Sequence, residues 1–369
     1  MKCIDLGWAV LYNMTNSKKM KILLELMHGM GDTVCALPML KVLRMSFPNS
    51  EITVLTKFAS AADIIEASHI AVDHIVCLDI YKDIGRSLSV LWELRKSKFE
   101  YGISSCITPV RKANLFMKIV NPKHIVGWQK QHLFFDLLED KYHFVEANLL
   151  SIQEICDIPQ GKMYPEIYHD EMSTAKIKAE IGAENAKRKI IGICIGNADY
   201  SLKNRFLRTG KVYTRSWGIQ NMAALIQLLV QENVTIALIG GKAEIPLVDY
   251  IRKHVPASPK IIDFVGKTTI KESIALASLC DCIFGVDTGM QHIAAAVGTK
   301  TVSVFGPTNF HTHGAYSECA KFLVNKSCCP TQYCYGTSNY VNCPENRKCL
   351  TSISPERAFI EVKDILFDK

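Results

Sequence analysis

No window of the 369-residue chain reaches the roughly 18 consecutive apolar residues that a membrane-spanning helix needs. The chain is therefore expected to be soluble or, at most, peripheral to a membrane. No signal peptide is expected either. One Lys precedes the short run Leu6 to Tyr12, Asp5 interrupts its front, and no small-residue cleavage site follows. Gly and Pro are sparse, at 21 and 13 residues, while apolar residues make up 48% and charged residues 21%, which excludes disordered and fibrous chains. Charge of one sign is not concentrated either. The net +7 comes from 18 basic against 15 acidic residues in 1–150 and 25 against 21 in 151–369, so neither half is a nucleic-acid arm and no nucleic-acid partner is expected. A mild positive field would still draw in an anionic substrate such as a nucleotide, a phosphoglycan or a lipid headgroup.

What the chain does have is length for two cores and a βαβ rhythm. From Lys21 short aliphatic or β-branched runs alternate with amphipathic stretches. Strands are predicted at Ile22 to Met27, Ile52 to Thr56, His74 to Leu78, Tyr101 to Ser105 and His124 to Gly127, with helices at about Thr33 to Phe47 and Val145 to Cys156. Pro159, Gly161 and Pro165 mark a linker. The second half predicts strands at Lys189 to Ile195, Val234 to Ile239, around Ile261, Cys282 to Val286 and Thr301 to Phe305, with helices at Ile219 to Gln231, Glu244 to His254, Ile270 to Leu279 and Gly289 to Val297. The expected fold is α/β, with two tandem Rossmann-like doubly wound domains. The divisions are an extension at 1–19, a first domain at 20–158, a linker with a connecting helix at 159–186, a second domain at 187–353 and a last helix at 354–369. Ligands in such sheets sit beyond the carboxyl ends of the strands, so the loops after Met27, Ile239, Val286 and Phe305 are where chemistry is expected.

The first of these loops reads His28-Gly29-Met30-Gly31-Asp32-Thr33 and opens into a helix. Gly29 and Gly31 let backbone approach a ligand closely, and the helix N-terminus favours ionised Asp32, as a general base requires. The alternative is an Asp that only caps its helix. The G-x-G-x-x-G dinucleotide fingerprint is incomplete, because its third small position is Val34. The run Gly285-Val286-Asp287-Thr288-Gly289-Met290-Gln291-His292 places an acid, a hydroxyl and a Gly at a strand end before a helix. That arrangement suits a diphosphate, with His292 one turn in; a capped helix with a core His is the alternative. Gly240-Gly241-Lys242-Ala243-Glu244 and Phe305-Gly306-Pro307-Thr308 converge on the same locus. Glu244 could accept hydrogen bonds from a ribose diol or favour its own helix start.

Six motifs occur in order: Lys21-Ile22-Leu23-Leu24, Gly29-x-Gly31-Asp32 with Pro38-x-Leu40, Arg215-Ser216-Trp217, Gly240-Gly241-x-x-Glu244, Asp287-Thr288-Gly289-x-x-His292 with Ala294-Ala295-Ala296, and Phe305-Gly306-Pro307-Thr308. In this order, over about Met20 to Lys363, the chain resembles glycosyltransferase family 9, which includes the lipopolysaccharide heptosyltransferases. The resemblance implies a GT-B pair of Rossmann-like domains facing a cleft, with the acceptor on the first and a nucleotide-sugar on the second. It implies Asp32 as the base of an inverting displacement, Arg215 as the cation at the donor diphosphate, and Thr288, Gly289 and His292 as diphosphate-binding residues. Glu244 and Asp287 match positions associated with the nucleoside and sugar. No Mg²⁺ or other cofactor is implied for catalysis.

The chain departs from the family pattern in three places. The connection from Gly196 to Arg215 is long and carries Lys203, Arg205, Arg208 and Lys211, so Arg215 is either the diphosphate cation or one of several solvated basic residues, and the loop could grip an anionic acceptor. Residues 1–19 precede the similarity, and Met14 and Met20 are both candidate starts. The segment 328–349 crowds five of the 14 cysteines. Within it Cys329, Cys334, Cys343 and Cys349 could close a structural Zn or Fe site, though their spacing is looser than paired C-x2-C knuckles. Reduced thiols are the alternative, and disulfides a third. The final helix, Arg357 to Phe367, often packs back across the cleft in transferases of this kind. Trp128 to His132, with Phe134 and Phe135, could touch a membrane or a lipid acceptor, or pack in a core.

Together these readings give a cytoplasmic inverting glycosyltransferase, at the inner face of the inner membrane where it associates peripherally. It would move a sugar, plausibly heptose from ADP-heptose, onto a glycan, glycolipid or protein acceptor. A non-catalytic nucleotide-sugar-binding paralogue and a nucleotide-sugar epimerase of the same architecture are the competing readings.

Overall fold

The computed structural model describes residues 19–78, 84–108, 110–127, 142–196, 215–330, 333–335, 337–341 and 343–367. Residues 1–18 of the extension expected at 1–19, the aromatic and basic stretch at 128–135, and Lys203, Arg205, Arg208 and Lys211 lie outside them.

The first sheet contains β1 (Lys21–Leu26), β2 (Glu51–Thr56), β3 (His74–Cys77), β4 (Tyr101–Ser104) and β5 (His124–Gly127), all parallel in the order β3-β2-β1-β4-β5. Between them run α1 (Met30–Ser46), α2 (Ala59–Ala67), α3 (Ile84–Lys96) and α4 (Val110–Val120), and α5 (Phe144–Leu150) follows. The strands are near-continuous apolar runs because both faces are covered, the expected consequence of parallel crossovers. Leu23 and Leu55 pack with Leu91, Leu94, Phe116 and Val120 on one face, while Ile22, Leu24 and Val54 pack with α1 on the other.

The connecting chain is tied to both halves: the Ile167 amide donates to the Ala296 carbonyl at 3.1 Å and the Tyr168 amide to the Ala67 carbonyl at 2.8 Å. It continues into α6 (Glu171–Ile181), capped by Asp170 accepting from the Ser173 amide, and the short α7 (Ala183–Ala186).

The second sheet contains β6 (Lys189–Cys194), β7 (Val234–Ile239), β8 (Ile261–Asp263), β9 (Cys282–Val286), β10 (Lys300–Val304) and β11 (Ala320–Leu323) in the order β11-β10-β9-β6-β7-β8, again all parallel. This is the doubly wound order, with the reversal between β6 and β9. Its helices are α8 (Ile219–Val230), α9 (Ile245–His254), α10 (Ile270–Leu279), α11 (Gly289–Ala296) and α12 (Phe310–His313), followed by α13 (Ser338–Val341), α14 (Lys348–Thr351) and α15 (Pro355–Phe367). β11 and the helices α2, α3 and α4 were not anticipated individually from the sequence, whereas α6 falls within the stretch 159–186 where a connecting helix was expected.

One apolar cluster joins α1 to α10 and α11, so the two sheets share a middle layer of helices. Ion pairs Glu66–Lys271 at 2.9 Å and Lys41–Glu166 at 2.9 Å flank that layer. The last helix does not span the cleft as the analogy suggested. Ala358, Val362, Ile365 and Leu366 of α15 are buried with α8 against the outer face of the second sheet, because its apolar stripe finds its partner there.

Candidate active site

The site grows from two strand ends that point toward each other. β1 ends at Leu26, and Gly29, in extended backbone, becomes the N-cap of α1. Asp32 is therefore the third residue of the helix, not its cap residue, and its carboxylate reaches back to accept the Gly29 amide at 3.1 Å. This is the acid half of a capping box. Burial pushes the Asp32 carboxyl up to about 6, the Asp287 charge adds to the rise, and the Gly29 amide and Arg215 oppose it.

The second strand end is built differently. Thr288 is the N-cap of α11, yet its hydroxyl makes no capping bond and is buried without a partner among the described residues. Buried polar groups are normally paired, so this hydroxyl, at the positive end of a helix, is poised for an anionic ligand. Asp287 beside it is 7% exposed, and Arg215 donates to its Oδ2 at 3.1 Å. Burial alone would raise the Asp287 carboxyl; Arg215, with His313, the Thr308 hydroxyl and His292, brings it below the ordinary carboxylate range. Trp217, two residues after Arg215, anchors this stretch of chain: it is buried at 1% exposure, donates Nε1–H to the Ile353 carbonyl at 2.8 Å and packs on Phe284 at 5.4 Å.

The two ends touch. A Cβ on Gly31 would lie 2.8 Å from His292 Cδ2, and one on Gly289 would lie 3.1 Å from the Gly31 amide. Gly31 thus admits the opposite half of the protein, where the sequence pointed to ligand approach. His292 is 8% exposed and burial pushes it down to about 4, so at neutral pH it is an uncharged bridge, its Nδ1 3.6 Å from Cys35 Sγ on α1. Its contribution to a diphosphate would be a hydrogen bond and not a charge.

Glu244 closes the far side. Its carboxylate accepts the Gly241 amide, so it does organise its own turn, while its stem fills the space that Gly196 and Gly240 leave at the ends of β6 and β7. Burial raises its carboxyl above the ordinary value. Residues that the sequence alone did not single out also gather here: Cys35, His313, and a chain of Glu25, Thr108 and His28 under the first loop. A lone acid in the aliphatic run Ile22-Leu23-Leu24-Glu25-Leu26 was the available signal for the last of these.

The cysteine segment packs against the loop Phe305-Gly306-Pro307, where a Cβ on Gly306 would lie 3.0 Å from Cys349 Sγ. Every described cysteine is a free thiol. Cys329, Cys334, Cys343 and Cys349 line one cavity with Arg347 and Tyr340. Among the described residues, however, no three His, Cys, Asp or Glu side chains are arranged to hold a metal ion. Burial raises the Cys334 thiol and, with the neighbouring thiols, pushes Cys349 up to about 12, so these two stand as protonated thiols.

The family model described as Glycosyltransferase family 9 (heptosyltransferase) matches residues 93–338. The chain belongs to glycosyltransferase family 9. This glycosyltransferase is 27% identical over 356 residues to lipooligosaccharide heptosyltransferase 2 of Campylobacter jejuni, covering 94% of this chain and 98% of that one. In three dimensions it is similar to the E. coli ADP-heptose lps heptosyltransferase II, with a TM-score of 0.71 at 19% identity, covering 94% of this chain and 98% of that one. It is also similar to a bacterial iron-containing dodecameric glycosyltransferase from enterotoxigenic E. coli, with a TM-score of 0.56 at 10% identity over 95% of this chain and 77% of that one. The fold is thus GT-B, and the enzyme is a glycosyltransferase. No helix among the described residues is long and apolar enough to cross a membrane.

Proposed function

We propose that this enzyme is an inverting heptosyltransferase that moves heptose from ADP-heptose onto a lipopolysaccharide or another surface glycan or protein acceptor. The observation that carries the reading is the meeting of the two strand ends, which sets an acid of the first half against an uncapped helix N-terminus and a cation of the second. Asp32 takes the proton of an acceptor hydroxyl. That oxygen attacks the anomeric carbon from the face opposite the diphosphate, the bond to the β-phosphate oxygen breaks, and ADP leaves with the negative charge. With a carboxyl value of about 6, Asp32 is ionised at neutral pH and more basic than an exposed Asp. The N-terminus of α11, the Thr288 hydroxyl and Arg215 stabilise the charge that develops on the leaving diphosphate. Glu244 takes the nucleoside side, and the acceptor sits over Gly29, while Gly31 gives its space to His292. No metal step is needed in this scheme.

The proposal includes the division into an acceptor domain at 20–158, a connection at 159–186 and a donor domain at 187–353. It also places the enzyme at the cytoplasmic face of the inner membrane. Supporting that placement, Leu88, Trp92 and Leu115 on α3 and α4 are 52%, 57% and 57% exposed, among the basic residues Arg95, Lys96, Arg111 and Lys118. Exposed Trp and Leu among cations suit an anionic bilayer surface. For the cysteines we propose a structural metal that would reorder the cavity on binding, since four soft donors already line it. Less than a tenth of a metal atom per chain in anaerobically purified protein would remove that part.

The deciding experiment titrates ADP, UDP, GDP and CDP calorimetrically, then follows ADP release from ADP-heptose and the anomeric configuration of the product by NMR. Selective binding of ADP with inverted product is expected. Donor conversion without an acceptor would instead indicate an epimerase, and tight binding with no turnover on any acceptor a binding protein.

A further inference from the structure

Glu25 stands in the middle of β1, the central strand of its sheet, paired on one side with Leu55 and on the other with Ser104. It is 0% exposed. Its neighbours on the strand, Leu24 and Leu26, are aliphatic, and a Leu at 25 would satisfy the core. Burying a carboxyl in such a place is unfavourable unless donors meet it, and each oxygen has one. Oε1 accepts the Met27 amide at 2.9 Å, and Oε2 accepts the Thr108 hydroxyl at 2.8 Å. Thr108, 5% exposed, also lies 2.5 Å from His28 Nε2. One carboxylate therefore holds the first residue of the loop that leads to Asp32 directly, and the second through a hydroxyl on the β4–α4 connection.

The chain has a direction. A hydroxyl has one proton, and Thr108 donates it to the carboxylate, so its oxygen can only accept from His28. The proton on the imidazole is then on Nε2. We propose that Glu25 is a positioning residue for the transfer, acting through Thr108 to hold His28 as its Nε2–H tautomer and to fix the loop His28-Gly29-Met30-Gly31 ahead of Asp32. Burial raises the Glu25 carboxyl to about 7, against the pull of Thr108 and the Met27 amide, so the tautomer is read at pH 8.5, where the carboxylate form prevails. The role in transfer rests on the acceptor reading of this loop; the tautomer does not.

The test uses the full chain labelled with ¹⁵N-histidine and long-range ¹H–¹⁵N correlation spectra. Wild type is expected to show His28 protonated on Nε2. In Glu25→Gln the amide NH₂ faces Thr108 and donates to it, so the hydroxyl turns to His28 Nε2 and the proton moves to Nδ1. With ADP-heptose and heptose-deficient lipopolysaccharide, Glu25→Gln and Thr108→Val should lower acceptor kcat/KM about tenfold or more. Their ADP affinity should stay within about twofold of wild type, since the change lies in the acceptor half. Thr108→Ser should restore both tautomer and rate. A wild-type His28 protonated on Nδ1, or a Glu25→Gln spectrum identical to wild type, overturns the tautomer assignment. A shifted tautomer with unchanged acceptor kcat/KM overturns the positioning role. If Glu25→Gln does not fold, the Thr108→Val and Thr108→Ser pair carries the same comparison.

Discussion

The ends of β1 and β9 are built on one plan and titrate in opposite directions. Each delivers an Asp to the start of a helix at the carboxyl edge of its sheet. Asp32 has an amide partner and a like charge nearby, and its carboxyl rises to about 6. Asp287 has a guanidinium at 3.1 Å, and its carboxyl falls. Burial penalises both; the cation decides between them. One acid is thereby left able to accept a proton, and the other is held in an ion pair with Arg215, the residue that the proposed mechanism sets against the diphosphate. A helix start alone does not make a base. What distinguishes the two sites is which one has the basic partner.

The sharpest way to break the comparison is Asp32→Asn. Loss of a general base should lower kcat by about 10²- to 10⁴-fold with ADP affinity unchanged, measured as ADP release. The same variant should be more stable at neutral pH. A carboxyl raised in the folded state binds its proton more tightly there than in the unfolded chain. Its ionisation therefore removes stability as pH rises from about 4 to about 6. Discounted for partial exposure, the neutral Asn should gain about 1–2 kcal/mol in denaturant titrations.

Arg215→Ala strikes the other side. It should cost about 10²- to 10³-fold in kcat by leaving the diphosphate charge unmet, and it should weaken ADP in calorimetry, which Asp32→Asn should not do. Gly31→Ala tests the contact between the halves. Its Cβ would lie 2.8 Å from His292, so a loss of about 1–3 kcal/mol in stability is expected, with donor and acceptor KM both rising. The smallest effect is the most diagnostic. In Asp287→Asn the charge that raises Asp32 is gone and Arg215 is freed to lower it. The acidic limb of the kcat/KM profile, expected near pH 6 in wild type, should then move down by about half a unit. An unmoved limb would show that another group limits the rate.

Much of this was legible in the chain. The inner strands β1, β2, β4, β6, β7, β9 and β10 appear in the sequence as aliphatic runs within a residue or two of their ends, because parallel strands covered on both faces must be apolar throughout, whereas the edge strand β11 was not anticipated. The motif loops were legible because Gly, Asp and Thr at a strand end mark a helix start, and a helix start at the carboxyl edge of a parallel sheet is where ligands bind. Helices α3 and α4 were harder to read. They are amphipathic helices whose exposed sides keep Leu88, Trp92 and Leu115, which blurs their period. The path of α15 also escaped, since its apolar stripe specifies burial without naming the surface that buries it. The cysteines show a similar limit: their spacing allows a tetrathiolate site, but side-chain placement depends on the loops between them.

The sequence by itself determined the two doubly wound halves, the order of their motifs and the residues at the strand ends, because hydrophobic period and helix-start chemistry are local. Only the tertiary structure decided what those residues do to one another. It brought Gly31 against His292 and Gly289, gave Arg215 to Asp287 and not to Asp32, neutralised His292 by burial, and placed Glu25 beneath the first loop. Each of these depends on distance and burial across segments far apart in the chain, and electrostatic effects follow those quantities and not residue identity.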